Sequence, residues 1–349
     1  MDKQVLLGMS GGVDSFVSAV LLKERGFDVT GINFVLTDEY KQEFENNFST
    51  ENACNHLNIR YLKIDLRAEF KEEVITRFIE EYKAGKTPFP CSWCNPKFKF
   101  KHLLKIALKD KIASIATGHY VRTGYVNNKR YLFRGADPDK DQSFFLWGLD
   151  AEQLKRVVFP LGNYLKKEVR EIAKRRGFLS ISEKKDSLGI CFTNGINYRD
   201  FLKNEGITFL PGNFIDTEGN ILGRHKGIVN YTVGQRHGLG INLNYPLFVA
   251  EIRLDANEIV LAKYADLYRS KIIIKDYKFV DIEEVNRGSL WTVRVRYRLQ
   301  LTPCKINILN ESRAEVELLK PEAMIAPGQT AVFYDGDRLI GGGYIESSF

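Results

Sequence analysis

A glycine-serine loop and three cysteines are the residues of this sequence whose types and spacing could carry chemistry. The loop is Gly8-Met9-Ser10-Gly11-Gly12-Val13-Asp14-Ser15. Its glycines let the backbone approach an anion and turn N–H groups inward. Ser10 and Ser15 add hydroxyl donors. There is no Gly-Lys-Ser/Thr, which excludes a Walker-type triphosphatase, and no G-x-G-x-x-G, which weakens a dinucleotide reading. An aspartate beside a phosphate cradle repels the anion, so Asp14 predicts a bridging Mg²⁺. Cys91 and Cys94 stand in the segment Pro88-Phe89-Pro90-Cys91-Ser92-Trp93-Cys94-Asn95. Asn95 suits an N-cap and Pro96 a first helical position. That places Cys94 just before a helix N-terminus, with Lys97, Lys99 and Lys101 behind it. Both features are expected to lower the thiol pKa and give a nucleophile. The alternatives are a buried structural thiol or half of a zinc site that lacks its second pair. Cys191 is the third candidate; alone it reads equally well as a small core residue. Cys54 and Cys304 read as structural. Five sparse cysteines argue against a disulfide framework.

The loop needs a strand before it and a helix behind it. Residues 5–7 supply the apolar run and residues 16–25 the helical stretch, ended by Gly26. The helix would add the positive end of its dipole to the cradle. Residues 29–34, 59–64 and 112–116 read as strands, and 99–108 as a helix. Phe70, Val74, Ile75, Phe78, Ile79 and Tyr82 share one face of a helix over 70–82. This alternation predicts an α/β fold with a doubly wound parallel sheet. After about residue 200 the texture changes to short Val-, Ile- and Tyr-rich runs. Strands over 272–280, 290–299, 313–319, 330–334 and 338–345 predict a small β-barrel. Between lies a dense turn segment, Gly234-Gln235-Arg236-His237-Gly238-Leu239-Gly240. The expected domains are 1–200, 201–270 and 271–349.

Length and composition fit such a protein. With 349 residues, two or three domains are expected. Charged residues are 27% and hydrophobic ones 44%, which excludes a disordered chain. No run of about 18 apolar residues exists, so no membrane span is expected. The N-terminus lacks the apolar segment of a signal peptide, which predicts a cytoplasmic protein. Net charge is +7, and basic residues cluster in 86–111, 151–185 and 285–310. Each cluster could be a solvated face; three together favour a polyanionic partner.

The loop resembles the PP-loop of ATP pyrophosphatases, which cleave ATP between its α and β phosphates and adenylate a substrate oxygen. With the cysteines, the chain closely resembles the bacterial tRNA-specific 2-thiouridylases (MnmA/TrmU family). The resemblance runs almost end to end. It rests on residues 8–15 and 87–100, Ala116-Thr117-Gly118-His119-Tyr120, Lys140-Asp141-Gln142-Ser143, residues 187–192 and 231–240, and Arg296-Tyr297-Arg298. It implies a PP-loop domain of the adenine nucleotide alpha hydrolase type, a small central tRNA-contacting domain and a C-terminal β-barrel. It implies thiolation of the wobble uridine in the tRNAs for Lys, Glu and Gln, with ATP and Mg²⁺ as cofactors. The partners would be tRNA and a sulfur-donor protein carrying persulfide, with no membrane. By the same resemblance Gly8, Met9, Ser10, Gly11, Gly12, Val13, Asp14, Ser15, Phe34 and Gly118 contact ATP. His119, Lys140, Asp141, Gln142, Arg296, Tyr297 and Gln329 sit near tRNA. Cys191 carries the persulfide, and Cys94 releases its sulfur, ending in a transient disulfide. The chemistry is coherent: a uracil C2 oxygen leaves badly until AMP is transferred onto it, and loop amides with Mg²⁺ can absorb charge on departing pyrophosphate.

The chain departs from the family at Phe89-Pro90-Cys91, where Asn-Pro-Asp is usual. Phe89 cannot make an amide's hydrogen bonds but can stack on a base. Cys91, Cys94 and Cys191 together could hold a [4Fe–4S] cluster with one open iron. Persulfide relay is preferred over that route. Two other classes stand beside these. A PP-loop synthetase for a small molecule would need neither the cysteines nor a basic barrel. A non-catalytic RNA-binding protein would not keep the loop intact.

Overall fold

Val5, Leu6 and Leu7 are three successive apolar residues, and all three are fully buried at the centre of a parallel sheet. A strand covered on both faces has no polar side to show, which is why the run does not alternate. The computed structural model describes residues 3–38, 49–183, 189–241 and 245–349. These form two units. The first holds residues up to 74, 91–194 and 337–340; the second holds 75–90, 195–336 and 341–349. Ser187, in the segment that precedes Cys191, lies outside the described residues.

The sheet of the first unit contains β1 (Gln4–Gly8), β2 (Asp28–Val35), β3 (Arg60–Asp65), β4 (Ser114–Ala116) and β7 (Val157–Val158). Its order is β3-β2-β1-β4-β7, and every pair is parallel. From β1 the chain winds outward through β2 to β3, then returns to β4 on the other side. The order therefore reverses between β1 and β4, and ligands of open α/β sheets bind at such a point, outside the carboxyl ends of the strands. The loop of residues 8–15 leaves β1 there, and Gly118 follows β4 there. A hairpin of β5 (Val121–Val126) and β6 (Lys129–Arg134) pairs with Arg338 and Leu339.

Helix α1 (Val13–Glu24) is buried on two sides. Ala19 and Leu22 pack with Val5, Leu7 and Val29 of the sheet. Phe16, Val17, Val20 and Leu21 pack with Val169, Ala173 and Phe178. Its start is therefore fixed by the core, which suits a helix whose first turn must hold a site.

The second unit carries two sheets. β8 (Gly212–Ile215), β9 (Ile221–His225), β10 (Phe248–Arg253) and β11 (Glu258–Ala262) form a four-stranded sheet in the order β10-β11-β8-β9. β12 (Arg269–Phe279), β13 (Trp291–Arg294), β14 (Thr302–Ile308), β15 (Arg313–Glu322), β16 (Thr330–Asp335) and β17 (Arg338–Ser348) follow. They run β12-β15-β14-β13-β16-β17, and β17 pairs back onto β12. That pairing closes a six-stranded barrel and leaves no open edge. Ala331, Phe333, Val316 and Ile274 fill its interior.

Three expectations are corrected. The strand over 290–299 ends at Arg294, and 295–299 turn, with Arg298 at φ +72°. β14 was not among the expected strands, and Pro303 sits inside it. Pro303 is opposite Thr292 only, and pairing to β15 begins at Cys304. A proline at the beginning of a strand forfeits no ladder bond. The helix over 70–82 is three successive segments, Arg67–Phe70, a π-helical Lys71–Ile75 and Thr76–Lys83. A π turn rotates the apolar face, and the two units divide inside it. Among the described residues no helix is long and apolar enough to cross a membrane.

Candidate active site

The loop after β1 is fastened at both ends. Met9 N donates to Ile32 O at 2.7 Å, and Asn33 Nδ2 donates to Met9 O at 2.8 Å. Gly11 has φ +73°, which only glycine adopts freely, and this turns the chain into α1. Ser15 is buried; its hydroxyl donates to Gly12 O at 3.0 Å and accepts from Ser10 N at 3.2 Å. Gly12 precedes the helix without a side-chain cap, so first-turn N–H groups of α1 remain to meet an anion. Met9, Gly11, Gly12, Ser15, Ser49 and Thr50 line a small recess beside the loop. Phe34, at the end of β2, touches the His102 ring edge-on at 6.2 Å.

Gly118 closes the other side. A Cβ there would lie 2.9 Å from Asp14 C and 3.0 Å from Ser15 N. The segment after β4 thus rests directly on the first turn of α1, and only a glycine permits that approach.

Asp14 has two side-chain partners that sequence reasoning did not foresee. Lys166 Nζ donates to its two carboxylate oxygens at 2.8 and 2.7 Å, and Tyr120 Oη donates to Oδ1 at 2.6 Å. Lys166 is a buried lysine at the start of the helix Lys166–Arg175. The ammonium offsets the carboxylate charge at the loop. Asp14, Lys166 and Tyr120 thus form one cluster at the loop, and no step below runs through a bridging Mg²⁺. Sequence reasoning missed Lys166 because 152 residues separate it from Asp14. The only signal was a lysine in a basic stretch.

Gln142 ties this cluster to its neighbour loop. Its Oε1 accepts from Tyr120 N at 3.0 Å and its N donates to Tyr120 O at 3.2 Å. Asp141, expected near tRNA, is buried instead. It accepts from Gly135 N and Ser143 N and pairs with Arg134 Nε at 3.3 Å. Its carboxylate braces the loop rather than facing a partner. Lys140 is half-buried, and its N donates to Asp137 O.

The cysteines differ from expectation in both place and charge. Cys91–Trp93 is already helical, Cys94–Lys99 is a π-helical turn, and the helix Phe100–Lys109 continues it. Cys94 therefore sits inside a helical run, not before its N-terminus. It is buried, and burial pushes its thiol up to about 12, with Lys99 pulling weakly the other way. Cys91 is half-buried; desolvation pushes its thiol up to about 11. Cys191 is exposed, in a short turn that ends at left-handed Asn194. Cys91 and Cys94 both feel the Cys191 thiol electrostatically. Among the described residues no three His, Cys, Asp or Glu side chains are arranged to hold a metal ion. No step below runs through an iron–sulfur cluster.

Lys99 connects the two chemistries. It acts on Cys91, on Cys94 and on His119. His119 adjoins Gly118, its Nδ1 is 2.8 Å from Thr117 Oγ1, and its ring lies near those of Phe100 and Phe159. Burial, then Lys99, pushes its pKa down to about 3, so it is neutral at working pH.

The remaining candidates belong to the second unit. Arg296 is exposed and Tyr297 half-buried on the turn between β13 and β14, and the Arg298 guanidinium lies 5.7 Å from the Tyr297 ring. Gln329 Nε2 donates to Thr87 O at 2.8 Å, and Thr87 N donates to Pro327 O at 2.8 Å. Gln329 thus holds Thr87 in place.

Three family models match in succession. Residues 3–195 match a tRNA methyl transferase HUP domain, 199–263 a tRNA methyl transferase PRC-barrel domain, and 269–345 an aminomethyltransferase β-barrel domain. The chain is 43% identical over 348 residues to tRNA-specific 2-thiouridylase MnmA 2 of Phocaeicola vulgatus, covering 99% of this chain and 98% of that one. It is 41% identical over 355 residues to the 2-thiouridylase MnmA of Lachnoclostridium phytofermentans, covering 98% and 99%. It is 40% identical over 360 residues to that of Halothermothrix orenii, covering 100% of both. Identity at this level along the whole length of both chains shows that this chain belongs to the tRNA-specific 2-thiouridylase family.

Proposed function

We propose that this protein is an ATP-dependent tRNA-uridine 2-sulfurtransferase acting on the wobble uridine of the tRNAs for Lys, Glu and Gln. The observation that carries the reading is the phosphate loop packed against Gly118, in one unit with a buried Cys94 that feels the charge of an exposed Cys191. A phosphate cradle and a sulfur carrier in one unit match a two-stage reaction. Methyl transfer, named in two of the matched domain descriptions, needs neither.

In the first stage residues 8–15 hold the nucleotide phosphates on backbone N–H groups. The uracil C2 oxygen attacks the α-phosphorus, and pyrophosphate leaves with its charge absorbed by the loop. In the second stage a persulfide on Cys191, loaded by a sulfur-donor protein, attacks C2 through its terminal sulfur and AMP departs. Cys94 then attacks Cys191 Sγ. The sulfur–sulfur bond to the base breaks, C2 keeps its sulfur, and a Cys94–Cys191 disulfide forms. The two thiols supply the electrons, and a dithiol reductant restores them. Exposure suits Cys191 for loading from outside. Burial suits Cys94 for staying protonated until the intermediate is present.

Residues 1–200 would then be the catalytic domain, with 201–270 and 271–349 placing tRNA, and the protein would work in the cytoplasm. Arg296 and Tyr297 offer a cation and a ring to the RNA. The test is mass spectrometry of tRNA nucleosides after reaction with ATP and a persulfide donor. Wild type should yield 2-thiouridine. Cys94→Ser and Cys191→Ser should each yield none while adenylated tRNA still forms. Full yield from either variant refutes the relay.

A further inference from the structure

The turn that carries Cys191 shows one residue to solvent and seats the next two. Cys191 is exposed, whereas Phe192 and Thr193 are buried. The turn is closed locally: Thr193 N donates to Ile190 O at 3.2 Å, and Thr193 Oγ1 donates to the same oxygen at 3.0 Å. The Phe192 ring fastens it to the rest of the unit. Phe192 meets Phe70 edge to face, with ring centroids 5.8 Å apart at 70°. Phe70 is fully buried and meets Phe98 in the same way, at 5.3 Å and 73°. Aromatic pairs favour this geometry. Phe98 stands in the π-helical turn Cys94–Lys99, which begins with the other relay cysteine. Phe70 directly precedes a second π-helical turn, Lys71–Ile75. Such single turns recur at functional sites. Three rings thus run from the exposed sulfur carrier to the buried thiol, and that thiol feels the Cys191 charge.

Resting on the relay above, we propose that Phe192, seated on Phe70 and through it on Phe98, is a positioning residue that fixes the reach between Cys191 and Cys94. A disulfide closes only when its two Cβ atoms come within about 3.5–4.5 Å. A buried ring packed edge to face has two torsions and little room to turn, so the backbone turn behind it is held as well. That restraint makes the meeting of two thiols from distant parts of the chain a local event. The step it serves is the exchange already written. Cys94 loses its proton, its sulfur bonds to Cys191 Sγ, and the electron pair of the broken sulfur–sulfur bond stays on the sulfur attached to C2. A side chain that merely fills space could be exchanged for a flexible one of similar volume. A positioning ring could not.

The experiment is a redox titration of the full-length protein, without tRNA, against mixtures of reduced and oxidised glutathione. Alkylation followed by peptide mass spectrometry reads the Cys94–Cys191 disulfide, and the midpoint gives the effective concentration of the two thiols. Phe192→Met keeps apolar volume but replaces the ring with a flexible chain, and Phe192→Leu removes volume as well. Each should lower the effective concentration by about tenfold, and either variant decides if the other fails to fold. Leu154→Ala truncates another buried side chain of the same unit. It should lower the melting temperature at least as much, yet stay within about threefold of wild type in the titration. A wild-type value in a folded Phe192 variant overturns the inference and leaves the relay standing. So does an equal fall in Leu154→Ala. A wild type that forms no Cys94–Cys191 disulfide at any glutathione ratio sinks the relay itself, and this inference with it.

Discussion

The phosphate loop and the cysteine pair lie in one unit and handle charge in opposite ways. At the loop every formal charge has its opposite in contact: Asp14 meets Lys166, and the neutral donors Tyr120 and Ser15 fill the remaining positions. At the cysteines charge is suppressed. Burial outweighs Lys99 at both Cys91 and Cys94 and holds them as thiols. His119 is kept neutral by the same burial and the same lysine. The loop is thus preorganised for a polyanion, while the thiols are arranged to stay inert until something enters. A chain that handles reactive sulfur gains from that difference, because an ionised cysteine in the open would be oxidised or alkylated.

The comparison breaks most visibly at Gly118. Gly118→Val places a branched side chain where even a Cβ is 2.9 Å from the α1 backbone. The first turn of α1 must move, with an overpacking cost of about 1–3 kcal/mol. Nucleotide binding, read by calorimetry with ATP, should fall below detection. Alkylation of Cys191 should proceed at the wild-type rate, because that turn makes no demand on the loop. Equal damage to both readouts would show that the two regions are one cooperative element.

The loop was legible in the sequence because its requirements are local. Glycines, serines and the strand-to-helix change fall within about a dozen residues, and a parallel sheet follows from alternation. Lys166 was illegible because its role depends on a contact across 152 residues. The charge of Cys94 was misread for a related reason. Nearby lysines and a helix start argue for a thiolate, yet desolvation is a property of the packed interior and outweighs both. Asp141 shows the same limit: its motif is readable, but only the fold reveals that the carboxylate points onto Gly135, Ser143 and Arg134. In the barrel, β14 contains Pro303, whose position at the start of the strand cannot be known before the register is.

The charge difference is sharpened by pH. Iodoacetamide at pH 8 should modify Cys191 at least about tenfold faster than Cys94, since attack needs an accessible thiolate. Peptide mass spectrometry reads both sites in one sample. Cys94 should become reactive only as pH climbs toward about 12. The sign of the linked stability follows. Both thiols have folded pKa values above the free value of about 8.5, so their neutral form stabilises fully below that pH. The contribution is lost as pH rises toward about 11 for Cys91 and about 12 for Cys94. The melting temperature should therefore fall above pH 9, and Cys94→Ala should flatten that fall. A Cys94 that alkylates as fast as Cys191 at pH 8 would contradict its buried, neutral state.

The smallest effect is expected at Cys91, and it bears on how sulfur arrives. The persulfide relay gives Cys91 no bond to make, whereas an iron–sulfur route needs it as a third ligand. Its side chain is half-buried and lies within the influence of Lys99. Cys91→Asp restores the aspartate usual in the family and exchanges a neutral thiol for a carboxylate that Lys99 can meet. Desolvation of the new charge and its attraction to Lys99 oppose each other, so folding stability should change by no more than about 1 kcal/mol. Thiolation should stay within about twofold of wild type, because no reacting bond is lost. For iron the same change replaces a soft thiolate with a hard oxygen ligand, which cluster binding does not tolerate well. Anaerobic purification with iron and sulfide analysis, beside nucleoside mass spectrometry, reads both consequences. The expected result is no stoichiometric iron in either protein and similar 2-thiouridine yields. Stoichiometric iron in an active wild type, with iron and activity lost together in Cys91→Asp, would instead make the three thiols a cluster site.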